Sequence, residues 1–300
     1  MLLANLLHLS ELQQLHFEPA VVHLFVVFFS HRLSDYPSIV PSLHALLALI
    51  KYHAESFNPK YSDILDIFQT VFKEIDVGSL AQTIRQKVFD LFLAILSSEC
   101  VQSQSKDIAD KKSHNIELFG SEAVCLEIFT GLVVSMEGEK DPRCLVAALK
   151  LLELGIKHFS FLFDHSTGST GNEGLIGGSL PSDGIIEKLF DSVACYFPIT
   201  FSPPEDDPFG VTTESLIQSL ENVFCAHSAL HKHVLPFLVD HLTDETTLGR
   251  VQATNLLARL GTFEEYSPKI FRYIVLDEED SENNSRKLNS NSILVSIAER

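Results

Sequence analysis

The feature that most constrains this chain is the recurrence of apolar stripes at helical spacing along almost all of its 300 residues. In TTESLIQSLENVFCA, for example, Leu216, Leu220 and Val223 fall on one face of a helix. No segment alternates with period two over a useful length. The stripes come in consecutive pairs, and a single helical pair is too thin to bury its own apolar faces. The sequence therefore predicts an all-α fold in which neighbouring pairs stack into a solenoid.

Periodicity and capping residues set the predicted helix boundaries. The predicted helices lie near 2–15, 19–33, 38–53, 61–75, 78–98, 116–136, 142–160, 183–195, 213–225, 230–242, 246–260, 265–275 and 292–300. A repeat of about 40–47 residues predicts about six helical pairs. We expect one domain over residues 1–300. Its flexible loops are the Gly/Ser-rich 164–184 and the polar 277–292.

One pair has a recognisable repeat signature. HKHVLPFLVDHLTDETTLGRVQATNLLARLGTF (231–263) resembles a HEAT repeat, with Pro236 in its first helix and leucines in its second. The resemblance implies a right-handed HEAT/armadillo-like α-solenoid. In HEAT proteins an Asp and an Arg pair between neighbouring repeats, and Asp244 and Arg250 occupy the matching positions. Gly249 departs from the usual Val.

Charge and cysteine usage narrow the function classes. The 40 acidic residues against 22 basic ones give a formal charge of −18. General DNA or RNA binding is disfavoured, because phosphates require neutralising cations. A basic client and ordinary solubility both fit this charge. The five cysteines are widely spaced and none forms a C-x-x-C pair, which favours a reducing compartment over a disulfide framework.

The common catalytic and metal-binding signatures are absent from the sequence. There is no G-x-S-x-G, H-E-x-x-H or P-loop, and the Gly-rich 174–180 does not follow a strand. The nearest approach to a metal cluster is Cys225 with His227, His231 and His233, for which surface histidines are the favoured interpretation. We therefore predict a protein without catalytic residues, cofactor or metal.

A proline-rich strap, CYFPITFSPPEDDPFG (195–210), interrupts the helices. Prolines forbid helix here and pre-set an extended backbone. The favoured interpretation is structural, with aromatic side chains that pin the strap over the groove between repeats. The alternative is docking of a basic partner through the strap's acids, and charge reversal at Asp206 and Asp207 distinguishes the two interpretations. The structural set is Tyr196, Phe197, Pro198, Phe201, Pro203, Pro204, Pro208 and Phe209, and the acids are Glu205, Asp206 and Asp207.

A second irregular motif is SMEGEKDPRCL (135–145). Asp141 is placed to cap the following helix, and Pro142 takes its first position. Glu139, Lys140 and Arg143 have no such explanation. They are candidates either for a surface contact with another protein or for a ladder between repeats.

These two motifs carry a family resemblance. The strap with the helix after it resembles the pattern C-Y-F-P-I-x-F-x-P-P-x-x-D-P-x-G-I of the MMS-nineteen (Met-eighteen) family, and 135–145 is similar to its M-D-G-E-K-D-P-R-N-L. Residues 28–50 provide a third, weaker match. The likeness covers most of the chain in order. Family members are much longer, and this chain looks like their N-terminal portion.

The resemblance implies a non-catalytic adaptor of the cytosolic iron–sulfur protein assembly targeting complex, present in the cytoplasm and the nucleus. Its implied partners are the targeting components and client helicases and polymerases, including the TFIIH helicase. It also implies a link to nucleotide excision repair and transcription. The acidic charge and the ten-residue length of the most apolar run, 20–29, predict no direct nucleic-acid or membrane binding. The alternative is a karyopherin-like or other HEAT-repeat scaffold.

Overall fold

The fold is described from a computed structural model. The description covers residues 17–57, 61–98, 101, 108–163, 181–203 and 210–275. The predicted helices 2–15 and 292–300, the predicted loop 277–292 and residues 164–180 of the other loop lie outside it.

The described residues contain twelve α-helices and no strand. In chain order they are α1 (Pro19–His31), α2 (Tyr36–Tyr52), α3 (Asp63–Glu74), α4 (Gln82–Ser97), α5 (Ile108–Phe119), α6 (Glu122–Met136), α7 (Pro142–His158), α8 (Pro181–Ala194), α9 (Thr213–Cys225), α10 (His231–Leu242), α11 (Thr247–Leu260) and α12 (Ser267–Val275).

The helices form two layers. One layer, here the A row, contains α1, α3, α6, α8 and α10, each packed on the next. The other, the B row, contains α2, α4, α7 and α9, also packed in sequence, and α11, which joins α9 through an Arg259–Glu221 ion pair of 2.8 Å. Each pair contributes one helix to each row, so burial is completed by the neighbouring pair. The prediction of an all-α solenoid is confirmed.

The region 108–136 corrects the prediction of a single helix at 116–136. Two helices occur there, and their axes differ by 86°. Gly120 breaks the chain direction with a φ of +90°, which favours glycine, and the Ser121 side chain then caps α6 by accepting the Val124 N–H at 3.3 Å. The polar composition of α5 concealed its apolar stripe.

Several predicted boundaries also shift by a few residues, and two of these shifts have a clear local cause. Helix α4 begins at Gln82 and not at 78, because Val77–Ser79 forms a separate 3₁₀ turn. Helix α8 begins at Pro181, so the last four residues of the predicted loop 164–184 are helical. Proline is favoured at the first helical position, where its missing N–H is not needed.

Aromatic side chains connect the two rows through a shared core. Phe68 of α3 stacks on Phe92 of α4 at 4.9 Å between ring centroids, and Phe119 lies 5.8 Å from Phe159. All four rings are fully buried. Burial of each contributes about 1.5–3 kcal/mol. The core therefore runs continuously from one pair to the next.

The run AVVHLFVVFF (20–29) in α1 has ten residues, too few to cross a bilayer as a helix, and its sequence predicts a buried helix. The structure buries Val22 and Val26 but exposes Leu24 (66%) and Phe28 (42%). In the part of the chain that the structure describes, no single helix is long and apolar enough to span a membrane. The bent pair α5–α6 reaches the length and hydrophobicity of a membrane span only when both helices are counted together.

The contact of α3 with α6 depends on a glycine. A Cβ atom built on Gly131 would lie 2.6 Å from Cε2 of Phe72. We therefore expect Gly131→Ala to lower the free energy of unfolding by about 1–3 kcal/mol, as overpacking does. Urea denaturation measures the change.

The matched control is Gly184→Ala in α8, where an added Cβ meets nothing within 4 Å. This substitution should raise stability by about 0.5–1 kcal/mol, because glycine is unfavourable within a helix. Equal effects at the two glycines would contradict the close approach of α3 and α6.

A candidate partner-binding region at the strap and the α6–α7 loop

The α6–α7 loop carries the second sequence motif, and its centre is a buried ion pair. The Glu139 side chain is only 2% exposed and faces Arg85, near the start of α4. Nε of Arg85 donates to Oε2 at 2.7 Å and Nη2 donates to Oε1 at 2.7 Å. This paired geometry is the strongest form of a charge-assisted hydrogen bond. It also raises the pKa of the Arg85 guanidinium.

The remaining hydrogen-bonding capacity of both groups is also used. Oε1 of Glu139 accepts the N–H groups of Lys140 and Asp141, both at 2.9 Å, and Nη1 of Arg85 donates to the Leu80 carbonyl at 2.7 Å. Gly138 reaches this turn with a φ of +73°. The Arg85–Glu139 pair joins two neighbouring helical pairs, and the buried carboxylate is inaccessible to another protein. A ladder of such pairs between repeats stays a prediction.

Asp141 caps α7. Its Oδ1 accepts the Arg143 N–H at 3.0 Å and the Cys144 N–H at 3.4 Å, and the Arg143 guanidinium donates to both carboxylate oxygens. The Arg143 hydrogen bond holds the pKa of the Asp141 carboxyl below its usual value. Pro142 occupies the first helical position. Among the candidate contacts of this loop, Lys140 is exposed, and Arg143 is half-buried against its own cap.

The strap begins beside this loop. The Tyr196 hydroxyl donates to the Met136 carbonyl at 3.2 Å, so the two family-like motifs touch although 60 residues separate these positions. Burial raises the pKa of Tyr196 to about 12, which keeps the hydroxyl protonated. The Ser192 hydroxyl, at the end of α8, also donates to Glu137 at 3.4 Å.

The strap then crosses to the next pair of helices. The Phe197 ring lies 5.4 Å from Phe237 and 4.9 Å from His241, both on α10. Pro198 follows it and is half-buried. The strap therefore connects the α6–α7 loop with α10, two pairs of helices apart.

The crossing is fixed by one side-chain amide. Gln252 of α11 accepts the Ile199 N–H and donates to the Ile199 carbonyl, both at 2.9 Å, and both residues are 5% exposed. This arrangement satisfies an otherwise unpaired buried backbone. The half-buried Phe201 follows, and its carbonyl accepts the Thr213 hydroxyl at 2.8 Å.

The rest of the strap is only partly described. Pro203 is exposed. The other predicted strap residues lie outside the described ranges: Pro204, Glu205, Asp206, Asp207, Pro208 and Phe209. The docking role of the three acids stays a prediction.

The HEAT-like Asp and Arg have other contacts. Asp244 binds the Nδ1 of His241 through its Oδ2, and Arg250 donates from Nη2 to the Thr247 hydroxyl at 3.4 Å. Nε of Arg250 is buried without a partner among the described residues. Within those residues the two side chains form no ion pair with each other.

The histidines near Cys225 take structural positions. His227 accepts the Ala229 N–H at 3.2 Å, His231 bonds the Ser228 carbonyl and His233 stacks on Phe190. Over the described ranges no group of three or more His, Cys, Asp or Glu side chains is arranged to hold a metal ion.

Two residues that hold this region together, Arg85 and Gln252, are not identified by the sequence reasoning. Arg85 carries a detectable signal, because it interrupts the apolar pattern at the start of α4. Gln252 carries none, because its partner is the backbone of a segment 53 residues away.

Removing the charge of Glu139 tests the ion pair. Glu139→Gln leaves the Arg85 guanidinium, 18% exposed, without a counterion. We expect a loss of about 2–4 kcal/mol in the free energy of unfolding, somewhat below that of a fully buried pair. Glu137→Gln is the control, because Glu137 is half exposed and 3.8 Å from Lys188, and it should change stability by less than about 0.5 kcal/mol.

Replacing Gln252 with leucine tests the strap contact. Gln252→Leu keeps the volume but leaves the N–H and the carbonyl of Ile199 unpaired, which should lower stability by about 2–4 kcal/mol. Hydrogen exchange at the Ile199 amide should also be faster in the Gln252→Leu variant. The exposed Gln218→Leu on α9 should change neither measurement. Unchanged exchange at Ile199 would show that the strap is held by other contacts.

Comparison with known proteins agrees with the fold and the motifs. The family described as "Dos2-interacting transcription regulator of RNA-Pol-II" (MMS19_N) matches residues 1–275. The "MMS19 nucleotide excision repair protein homolog" of Mus musculus is 29% identical over 241 residues, which cover 80% of this chain and 19% of that protein. The human homologue of the same name is 28% identical over 242 residues, again 80% and 19%.

A fungal protein is also similar to this chain. The "DNA repair/transcription protein mms19" of Schizosaccharomyces pombe is 24% identical over 238 residues, which cover 78% of this chain and 19% of that protein. The chain spans about a fifth of the length of the curated relatives it matches. The match over 275 residues and the two motifs that meet at Tyr196 and Met136 together place this chain in the MMS19 N-terminal family.

Proposed function

We propose that this chain is part of a non-catalytic adaptor of the cytosolic iron–sulfur protein assembly targeting complex. The adaptor helps to deliver clusters to apo-proteins of DNA replication, repair and transcription. Its partners are targeting components and client helicases and polymerases, including the TFIIH helicase, in the cytoplasm and the nucleus. The relatives' names, which refer to nucleotide excision repair and transcription, support the processes in which these clients act.

The observation that carries the proposal is the junction of the two family-like motifs. Arg85 and Glu139 fix α4 to the α6–α7 loop, Tyr196 fixes the strap to the same loop, and Gln252 fixes the strap to α11. Buried hydrogen bonds of this kind hold successive pairs at a defined spacing. A scaffold requires this property, because two partners meet productively only if their binding surfaces keep a fixed separation.

The chemistry of the junction supports a scaffold more than a reaction site. Three of its charged groups, Arg85, Glu139 and Asp141, are engaged with one another, with Arg143 or with backbone groups. A catalytic site needs groups that converge on a space for substrate. In this proposal the iron–sulfur cluster is therefore cargo, and the chain supplies surfaces that bind other proteins.

Affinity capture of the full-length parent protein, with and without the portion that corresponds to this chain, tests the proposal. We expect the full-length protein to retain iron–sulfur assembly components together with client helicases and polymerases. The shortened protein should keep the assembly components and lose a subset of clients, whose iron content should fall. Full-length protein that captures no assembly component would contradict the proposal.

The alternative is a karyopherin-like or other helical-repeat scaffold. The helical pairs and the overall acidity support it equally. The two motifs favour the iron–sulfur role, because they belong to one family and not to helical-repeat proteins in general. Capture of nuclear-transport cargo in place of assembly components would favour the alternative.

A further inference from the structure

The two rows of helices differ in charge. The five B-row helices contain eight Lys and Arg against four Asp and Glu, whereas the five A-row helices contain three against nine. The B row therefore has a balance of +4 within its helix bounds, and of +2 once Glu139 and Asp141, which pair with Arg85 and Arg143, are counted, in a chain whose formal charge is −18. This asymmetry is not visible in the overall composition, because the fold sorts alternate helices to opposite sides.

Contacts between α4, α7 and α9 of the B row join corresponding ends of these helices, so residues at matching positions lie side by side. Gln82 contacts Cys144 at 3.7 Å, which aligns the starts of α4 and α7. Asn222 donates to Glu153 at 3.0 Å, which aligns the ends of α7 and α9. The row thus presents one face to solvent, built from corresponding turns of successive helices.

A line of two lysines crosses this face, and the protonatable His44 lies near one end of it. Lys87 lies five residues after Gln82 and Lys150 six residues after Cys144, so their heights along the helices differ by about 1.5 Å. His44 of α2 is close enough to Lys87 for the lysine charge, after burial, to lower the histidine pKa. Neighbouring helices lie about 8–10 Å apart, which sets the spacing of this line.

Three of the four B-row acids accept from a side-chain partner, which for Asp90 is the neutral Gln86, whereas the central lysines have no carboxylate partner in the part of the chain that the structure describes. The fourth acid, Glu214, lies exposed in the first turn of α9. Asp90 accepts from Gln86 at 3.1 Å, Glu153 pairs with Lys157 and Glu221 pairs with Arg259. Among the described residues no carboxylate lies within ion-pairing distance of Lys87 or Lys150. Positive charge is therefore left over at the centre of the row, where an external anion can meet it.

Apolar side chains lie between these charges. Half-buried aliphatic residues occupy the same helical face one turn from the polar ones: Leu47, Leu93, Val146, Leu154 and Ile217. Nucleic-acid backbones require a continuous run of cations and offer no aliphatic surface. An amphipathic helix, in contrast, has apolar anchors and charged flanks at this spacing.

From these observations we propose that the solvent face of the B row binds an acidic amphipathic segment of a partner protein. The partner's carboxylates pair with Lys87 and Lys150, and its apolar side chains cover the aliphatic residues between them. This surface is separate from the strap and the α6–α7 loop. The inference is independent of the iron–sulfur role, and its test uses no iron–sulfur component.

The test measures binding of a fluorescent synthetic peptide to the full 300-residue chain by anisotropy. The probe is a helix-forming peptide of about 16 residues. Its Leu residues recur at helical spacing on one face, and its Glu residues flank that face. The unmodified chain should bind it, and Lys87→Glu with Lys150→Glu should weaken binding about tenfold or more, with a smaller loss for the neutral pair Lys87→Gln and Lys150→Gln.

The matched control reverses two exposed lysines of the A row, Lys73→Glu with Lys232→Glu, which change the net charge by the same amount. Binding to this control should stay within about twofold of the unmodified chain. Circular dichroism melting shows that each variant is folded, and the neutral variants provide the comparison if charge reversal prevents folding.

Four results would overturn the inference. These are no binding by the unmodified chain, equal losses in the B-row and A-row variants, equal binding of a scrambled peptide without helical spacing, and tighter binding of a single-stranded oligonucleotide than of the peptide. The last result would assign the face to nucleic acid.

Discussion

The structure depends on one constraint, which is that no helical pair of this chain buries its apolar faces alone. Each A-row helix packs on the next A-row helix, and each B-row helix on the next of its own row, so stability comes from contacts between neighbouring pairs. The close approach of α3 to α6 at Gly131 shows how little room this stacking leaves. Such a framework has one repeating core and two long faces.

Polar contacts fix the register between helical pairs, which the apolar core by itself does not determine. Apolar burial is non-directional, and it tolerates sliding of one pair against another. The Arg85–Glu139 pair, the Gln252 amide on Ile199 and the Arg259–Glu221 pair each join elements far apart in sequence and fix their register. This explains why the family-like motifs are irregular. Their described residues satisfy specific buried partners, so these motifs act first on the geometry of the scaffold.

Alternation along the chain also separates charge. Apart from α5 and α12, which belong to neither row, consecutive helices go to opposite rows, so a sequence that is acidic overall builds one acidic layer and one basic layer. An adaptor benefits from two faces of opposite character, because each can select a partner that the other repels. The strap and the α6–α7 loop hold the pairs together and leave the long faces available.

The sequence by itself determined the all-α class, the stacking of helical pairs, the Asp141 cap and the family, because periodicity, capping and motifs are local properties. It did not determine the break at Gly120, because glycine conformation depends on what surrounds it. Only the tertiary structure decided that Glu139 is a buried partner of Arg85, that Gln252 holds the strap and that Lys87 aligns with Lys150. Those relations join residues of different helices, and no local pattern encodes which side chains meet when pairs are stacked.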